Sequence, residues 1–443
     1  MDSYHSLVSR IRERSLSTVI IGLGYVGLPL AALVAQAGFQ VTGIERKPGR
    51  VSSVNRGRSY IEDLTDDDLE PLVRSGRLSA TSEFSSISKA GVVAICVPTP
   101  LDQNKNPDTS YIEHVIEHSL PEWHRGQLVL LESTTYPGTT EEVILPRLQA
   151  LGLEVGKDIF LAFSPERIDP GRKDLPLDGI PRVVGGITER CTEVARLFYE
   201  QVFTTPVFTV SSPRVAEMTK LFENVFRVVN VSLVNELAQL CERMNIDVWE
   251  VIDAAKTKPY GFMPFYPGPG VGGHCIPIDP FFLSWKAREY GFATRFIDLA
   301  GQINDGMPSY VVQQITEVLN RHGKALKGSK TLVLGVAFKR GVADTRESAA
   351  LKVAARLLEQ GAVLSYHDPF VPTVPINGHK FDSVQLSAEN LSSSDVVVIG
   401  TDHSDVDYSL VAECGRLIYD TRNALNGFRG KHIHRLGAPE FAG

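Results

Sequence analysis

The most constraining feature of this chain is six residues long. Gly22-Leu23-Gly24-Tyr25-Val26-Gly27 follows the short β-branched run Thr18–Gly22 and opens the Ala/Leu-rich stretch Leu28–Ala37, which Gly38 closes before a second strand-like run, Gln40–Ile44. Strand, glycine turn, helix and strand in that order predict a βαβ unit, and hence a parallel sheet. The first glycine permits the tight turn, the second lets a diphosphate approach the backbone, and the third lets helix and strand pack, with the helix N-terminus facing the phosphates. Glu45 ends the second strand, where a carboxylate accepts hydrogen bonds from an adenosine ribose and repels a 2′-phosphate, so NAD is expected over NADP; Arg46, Lys47 and Arg50 soften that preference. Ser15–Ile44 has no charged residue and can also be read as a membrane span, but Gly22, Gly24, Gly27, Pro29, Gln36, Gly38 and Gln40 interrupt it.

A chain of 443 residues has room for roughly three domains. With 43% hydrophobic and 22% charged residues it is far from the composition of a disordered chain. A net charge of −7 offers no basic field for a polyanion, which argues against a nucleic-acid partner but leaves room for a small anion held by a local patch. The five cysteines are odd in number, widely separated and without paired metal-ligand spacing. No disulfide framework and no metal site are expected, and a reducing compartment, the cytoplasm, is the expected location.

Further buried-strand candidates are Gly91–Val97, Gln127–Leu131 and Asp158–Ala162, separated by helix-length polar segments. From Arg214 to about Arg243 helical periodicity runs without an interior Gly or Pro, and a Pro/Gly-rich loop follows from Pro259 to Pro280 before more helix to about Arg321. At Lys330 a second α/β region begins: strand Thr331–Gly335, helix Ser348–Gln360, strand Val363–Asp368, and Asp395–Gly400 echoing Gly91–Val97. The expected architecture is α/β, with two Rossmann-like parallel-sheet domains, 1–210 and 323–443, joined by a long central helix and a helical middle domain, 211–322.

Two clusters carry candidate chemistry. Glu217, Lys220 and Asn224 share a helix face, which spacing alone reads as a solvated polar stripe or a functional one. In Gly268-Pro269-Gly270-Val271-Gly272-Gly273-His274-Cys275-Ile276-Pro277-Ile278-Asp279-Pro280, glycines bring backbone N–H groups near a cysteine, and Asp279 can steer a water or a proton. Cys275 there is an attacking thiolate or an inert core thiol. Joined to a nicotinamide domain, a nucleophilic thiol suits oxidation of an aldehyde to an acid through a thiohemiacetal and a thioester, a four-electron route from the alcohol that consumes two NAD.

With these residues in hand, the chain resembles the UDP-glucose/GDP-mannose dehydrogenase family over nearly its whole length. The likeness rests on Gly22–Gly27, Cys96–Pro100, Ser133–Gly138, Ser164–Arg167, Glu217-x-x-Lys220-x-x-x-Asn224, Gly272–Cys275, and Leu334–Lys339 through Asp344–Arg346. Gly272–Pro280, preceded by Lys258–Pro267, is similar to bacterial UDP-N-acetylglucosamine 6-dehydrogenases. UDP-glucose enzymes more often carry a lysine where Ile278 stands, and many relatives place an arginine near the position of Pro259.

The resemblance implies Cys275 as nucleophile, with Lys220 and Asn224 stabilising the oxyanion. It implies Asp279 as base for thioester hydrolysis, with Thr134 and Glu166 positioning the water. Gly22, Gly24, Tyr25, Val26, Gly27, Glu45, Arg50, Thr99, Thr134 and Arg346 are expected at NAD. Glu166, Lys220, Asn224, Phe265, Tyr266, Gly272 and Lys339 are expected at the UDP-sugar. The plain alternative for Glu166 is an ion pair with Arg167, and His274 reads as a packing or discriminating residue. The expected reaction is oxidation of UDP-N-acetylglucosamine by a homodimer or higher oligomer, with the substrate between the two Rossmann-like domains, for surface polysaccharide synthesis. The rivals are UDP-glucose or UDP-N-acetylmannosamine oxidation, a one-step hydroxyacid dehydrogenase, and a non-catalytic nucleotide-sugar sensor.

Overall fold

The computed structural model describes residues 2–61, 64–102, 106–167, 177–273 and 276–439; His274 and Cys275 lie outside them. Two compact units are present: one holds the chain up to Glu223 together with Phe281–Phe292, the other Asn224–Pro280 and the chain from Ala293 onward.

The first unit is built on an eight-stranded sheet: β1 (Ser17–Ile21), β2 (Gln40–Ile44), β3 (Leu78–Thr81), β4 (Ala90–Ile95), β5 (Leu128–Leu131), β6 (Phe160–Phe163), β7 (Arg182–Gly186) and β8 (Val207–Val210). Their order is β3-β2-β1-β4-β5-β6-β7-β8. All pairs are parallel except β6 with β7, a departure from the all-parallel expectation. β7 reads Arg-Val-Val-Gly-Gly, too short and glycine-rich to stand out as a buried strand.

Because successive strand residues face opposite sides, the apolar runs feed two cores. Val92 and Ala94 join Ile20, Leu128, Leu130 and Phe160 on one face. Val93 and Ile95 join Val19, Ile21, Val129, Leu131 and Phe163 on the other. Each such side chain, fully buried, contributes about 1.5–3 kcal/mol, so a one-residue register slip would exchange two cores at once. The helix Gly27–Gln36 is buried almost all round, and its three alanines keep it thin enough to lie close on the sheet.

The second unit repeats the logic with five parallel strands: β9 (Lys330–Leu334), β10 (Val363–His367), β13 (Val396–Ile399), β14 (Ile418–Asp420) and β15 (Ile433–Arg435), ordered β10-β9-β13-β14-β15. A hairpin of β11 (Thr373–Ile376) and β12 (His379–Asp382) stands apart. Ser348 caps the helix Ala349–Glu359 by accepting from Leu351 N–H. One helix, Pro213–Arg243, is continuous for 31 residues, about 46 Å at the α-helical rise. It gives its residues through Glu223 to the first unit and the rest to the second. Among the described residues no helix is long and apolar enough to cross a membrane.

Candidate active site

In the first unit, β1 lies between β2 and β4, so strand order reverses there and a crevice opens at the carboxyl ends of β1 and β4. The sequence motifs stand at those ends. Gly22 follows β1, Cys96–Pro100 follows β4, Ser133–Gly138 follows β5 and Ser164–Arg167 follows β6. Backbone bonds tie them together: Cys96 N–H donates to Ile21 C=O at 2.8 Å, and Ser164 N–H to Leu131 C=O at 3.0 Å. The Thr99 hydroxyl donates to the Thr134 carbonyl.

The glycine turn fits a dinucleotide. Gly22 has φ +92°, and a Cβ on Gly27 would sit 1.9 Å from the Gly22 carbonyl oxygen, whereas a Cβ on Gly24 would meet nothing within 4 Å. Gly24 is therefore bare where the fold itself leaves room, as approach of a diphosphate requires. Tyr25 is partly exposed beside it. Glu45, buried at the end of β2, accepts from Lys47 N–H at 2.9 Å and pairs with Arg50 at 3.4 Å. The Arg50 guanidinium lies 4.9 Å from the centre of the Tyr60 ring.

Glu217 and Lys220 are 0% and 8% exposed, and Asn224 is 6% exposed, so this face is not a solvated stripe. Glu217 is consumed structurally: its carboxylate accepts from the N–H groups of Gly138 (2.5 Å) and Thr140 (2.9 Å) and from the Thr140 hydroxyl (2.7 Å). Burial raises its pKa against those bonds. Lys220 differs. Among the described residues no carboxylate lies within ion-pairing distance of it, an arrangement that costs stability and that an anionic ligand or a developing oxyanion would relieve.

Asn224 and Asp279 belong to the second unit, where Asn224 Nδ2–H donates to Asp279 Oδ2 at 2.5 Å. One amide hydrogen of Asn224 is thus committed, and the amide nitrogen carries a second. The glycine run before Cys275 rests on the carboxyl ends of the second sheet. Gly273 N–H donates to Arg346 C=O at 3.1 Å. A Cβ on Gly272 would lie 2.9 Å from the Glu347 carbonyl oxygen and from Phe338 Cβ. Lys339, half-buried, follows Phe338 in that same loop, its ammonium 5.7 Å from the Phe338 ring centre. Arg346 is exposed and donates to both Asp344 carboxylate oxygens. Phe265 meets Phe226 edge-on at 5.8 Å, and Tyr266, 43% exposed, stacks on Trp249.

Residues 17–203 match the NAD binding domain of the UDP-glucose/GDP-mannose dehydrogenase family, residues 214–306 its central domain, and residues 332–427 its UDP binding domain. Across 88% of this chain and 92% of the relative, a UDP-N-acetyl-D-glucosamine 6-dehydrogenase of Pseudomonas aeruginosa is 34% identical. The chain belongs to the UDP-glucose/GDP-mannose dehydrogenase family. A UDP-N-acetyl-D-mannosamine dehydrogenase of Methanococcus maripaludis is likewise 34% identical, over 92% of each chain. The solved structure of a UDP-D-ManNAc dehydrogenase from Pyrococcus horikoshii superposes with a TM-score of 0.88 at 31% identity, covering 96% of this chain and all of that one. Membership makes the protein an NAD-dependent oxidoreductase of the UDP-sugar dehydrogenase type.

Several partners of these residues were not legible in the sequence. Glu166 pairs with Arg182, not with Arg167; Arg167 instead engages Glu223 at 2.5 and 3.3 Å. Arg422, after β14, lies against Gly268, and burial lowers its pKa even with Asp402 and Asp420 nearby. Asp368, after β10, accepts from Val336 and Ala337 N–H and from His403, while Gly341 N–H donates to His403 Nδ1. This pair anchors the loop that carries Lys339. For Arg422 and Asp368 the available signal was positional: each stands just past a strand of the second sheet, where the first sheet carries its own motifs.

Proposed function

We propose that the protein oxidises the C6 hydroxyl of a UDP-N-acetylhexosamine, UDP-N-acetylglucosamine in the first instance, to the uronate, drawing two NAD per sugar. The observation that carries this reading is Lys220: a buried ammonium without a described carboxylate partner, inside the motif Glu217-x-x-Lys220-x-x-x-Asn224. When bound, NAD accepts hydride from C6 at each of the two oxidations.

The chain's own residues do the rest. Cys275 adds through Sγ to the C6 aldehyde, and the thiohemiacetal it forms becomes a thioester on the second oxidation. Lys220 and the second amide hydrogen of Asn224 stabilise the negative oxygen that develops at C6. Asp279 takes a proton from the hydrolytic water, with Thr134 and Glu166 orienting it; water adds to the thioester carbonyl, the C–S bond breaks, and acid and thiol are released. Lys339, Phe265, Tyr266 and Gly272 hold the UDP-sugar, and Thr99, Arg50 and Arg346 serve NAD beside the glycine turn and Glu45.

UDP-N-acetylmannosamine is the second reading, favoured by the relatives that carry that activity in their names. Steady-state rates on the glucosamine, mannosamine and glucose nucleotides, with NADH counted per sugar consumed, decide between them. Two NADH per sugar and a preference for an N-acetylhexosamine are expected; one NADH per sugar, or a preference for glucose, defeats the reading. We also infer a homodimer in the cytoplasm, supplying surface polysaccharide synthesis. The long helix leaves Phe222 and Leu233 more than half exposed, an apolar face that a second subunit would cover. Light scattering on the purified protein tests the dimer.

A further inference from the structure

Glu166 sits in a buried cluster whose other members the reaction scheme does not use. The guanidinium of Arg182, at the first residue of β7 and 3% exposed, lies 2.9 Å from Glu166 Oε2 and 3.4 Å from Glu132 Oε2. Its Nη1–H donates to the Pro165 carbonyl at 3.1 Å, so the same side chain holds both the backbone and the carboxylate of the Ser164–Arg167 turn. Phe203 and Tyr199 lie 4.4 and 5.4 Å from the guanidinium carbon, which fixes its plane. The Tyr199 hydroxyl donates to Glu132 Oε1 at 2.6 Å, and Arg167 N–H donates to Glu166 Oε1 at 2.6 Å.

We propose that Arg182 is the positioning residue for Glu166, holding its carboxylate and the Ser164–Arg167 turn in place for the hydrolytic step. Among the described residues one buried cation faces two buried carboxylates, and a low-dielectric interior disfavours two negative charges side by side. Of the two carboxylates, Glu132 is the one placed to be neutral, for two reasons. It is the more deeply buried, 1% exposed against 7%. It is the farther from the guanidinium, 3.4 Å against 2.9 Å. Burial also drives its carboxyl towards the neutral form. The other titratable groups around the cluster are the Cys96 thiol at the end of β4, which burial keeps protonated, the Tyr199 phenol, and the Arg167–Glu223 pair beyond the turn.

This inference rests on Glu166 serving water addition to the thioester, so the test separates the two claims. Arg182→Gln alone strands two carboxylates in the core; the double variant Glu132→Gln/Arg182→Gln removes one of them, and Arg182→Lys keeps the charge but loses the fork. In both of the latter variants the expected result is a burst of about two NADH per subunit followed by turnover slowed about ten- to a hundredfold. A thioester adduct on Cys275 should accumulate by mass spectrometry. A hydrolysis rate like the parent's, with no adduct accumulating in either variant, overturns the role of Arg182. Glu166→Gln is run in parallel. If it accumulates thioester while the Arg182 variants do not, only this inference fails; if it turns over like the parent, the role of Glu166 under the proposed function fails first.

Discussion

The carboxylate of Glu217 takes the place of a missing helix partner for Thr140, accepting both its N–H at 2.9 Å and its hydroxyl at 2.7 Å, and it also receives Gly138 N–H. One buried side chain thereby locks the Ser133–Gly138 loop, and Thr134 with it, to the helix that carries Lys220. Glu217→Gln turns one acceptor into a donor facing a donor, which should cost about 1–3 kcal/mol and slow turnover without abolishing it. Urea unfolding alongside NADH production checks this; an unchanged midpoint would show that the loop is held by other contacts.

Asp368 supplies the pH dependence. Burial alone would raise its carboxyl, but His403, Val336 N–H and Phe370 N–H together hold it below the ordinary aspartate value. A folded-state value below the unfolded one contributes stability that is present above the unfolded value of 3.8 and is lost as pH falls through the folded one. The second unit should therefore weaken on acidification below about pH 4. Asp368→Asn should cost on the order of 3 kcal/mol at neutral pH, because backbone donors are left facing an amide, and should flatten that acid dependence. Urea midpoints from pH 7 to pH 3 test both statements.

What could be read from the chain in advance was whatever repeats locally. The apolar run Gly91–Val97 contains most of β4 (Ala90–Ile95), buried on both faces, and the uninterrupted periodicity from Arg214 to Arg243 matches the long helix Pro213–Arg243, because burial on two faces and a 3.6-residue period both leave marks within a few residues. Glu217 was not readable in the same way: its spacing suits a wet stripe, and only partners 77 and 79 residues away reveal that it is buried. Arg182 was hidden for a related reason, since the tempting neighbour of Glu166 in the chain is Arg167, whose charge is spent on Glu223. Local pattern identifies elements; which charge meets which carboxylate is decided by the order of strands in the sheet.

The glycine turn allows fold and cofactor to be separated. At Gly24 a Cβ meets nothing, so Gly24→Ala should melt like the parent in the absence of NAD and yet lose most of the stabilisation that NAD confers. At Gly27 a Cβ would strike the Gly22 carbonyl, so Gly27→Ala should destabilise the unliganded protein by about 1–3 kcal/mol. Thermal melts with and without NAD distinguish the two. Equal damage at both positions without NAD would mean that Gly24 serves the fold rather than the diphosphate.

Lys220 should show the opposite balance of stability and activity. Keeping an ammonium 8% exposed without a described carboxylate partner is unfavourable, and Lys220→Met replaces it with an apolar chain of similar length. The melting temperature is expected to hold or rise, while turnover falls by about a hundredfold to a thousandfold, the range for losing one oxyanion donor. A side chain kept at a cost to the fold is one that the bound state uses. Loss of stability together with retained turnover would instead make Lys220 a structural cation, and the charge at the reacting oxygen would need another source.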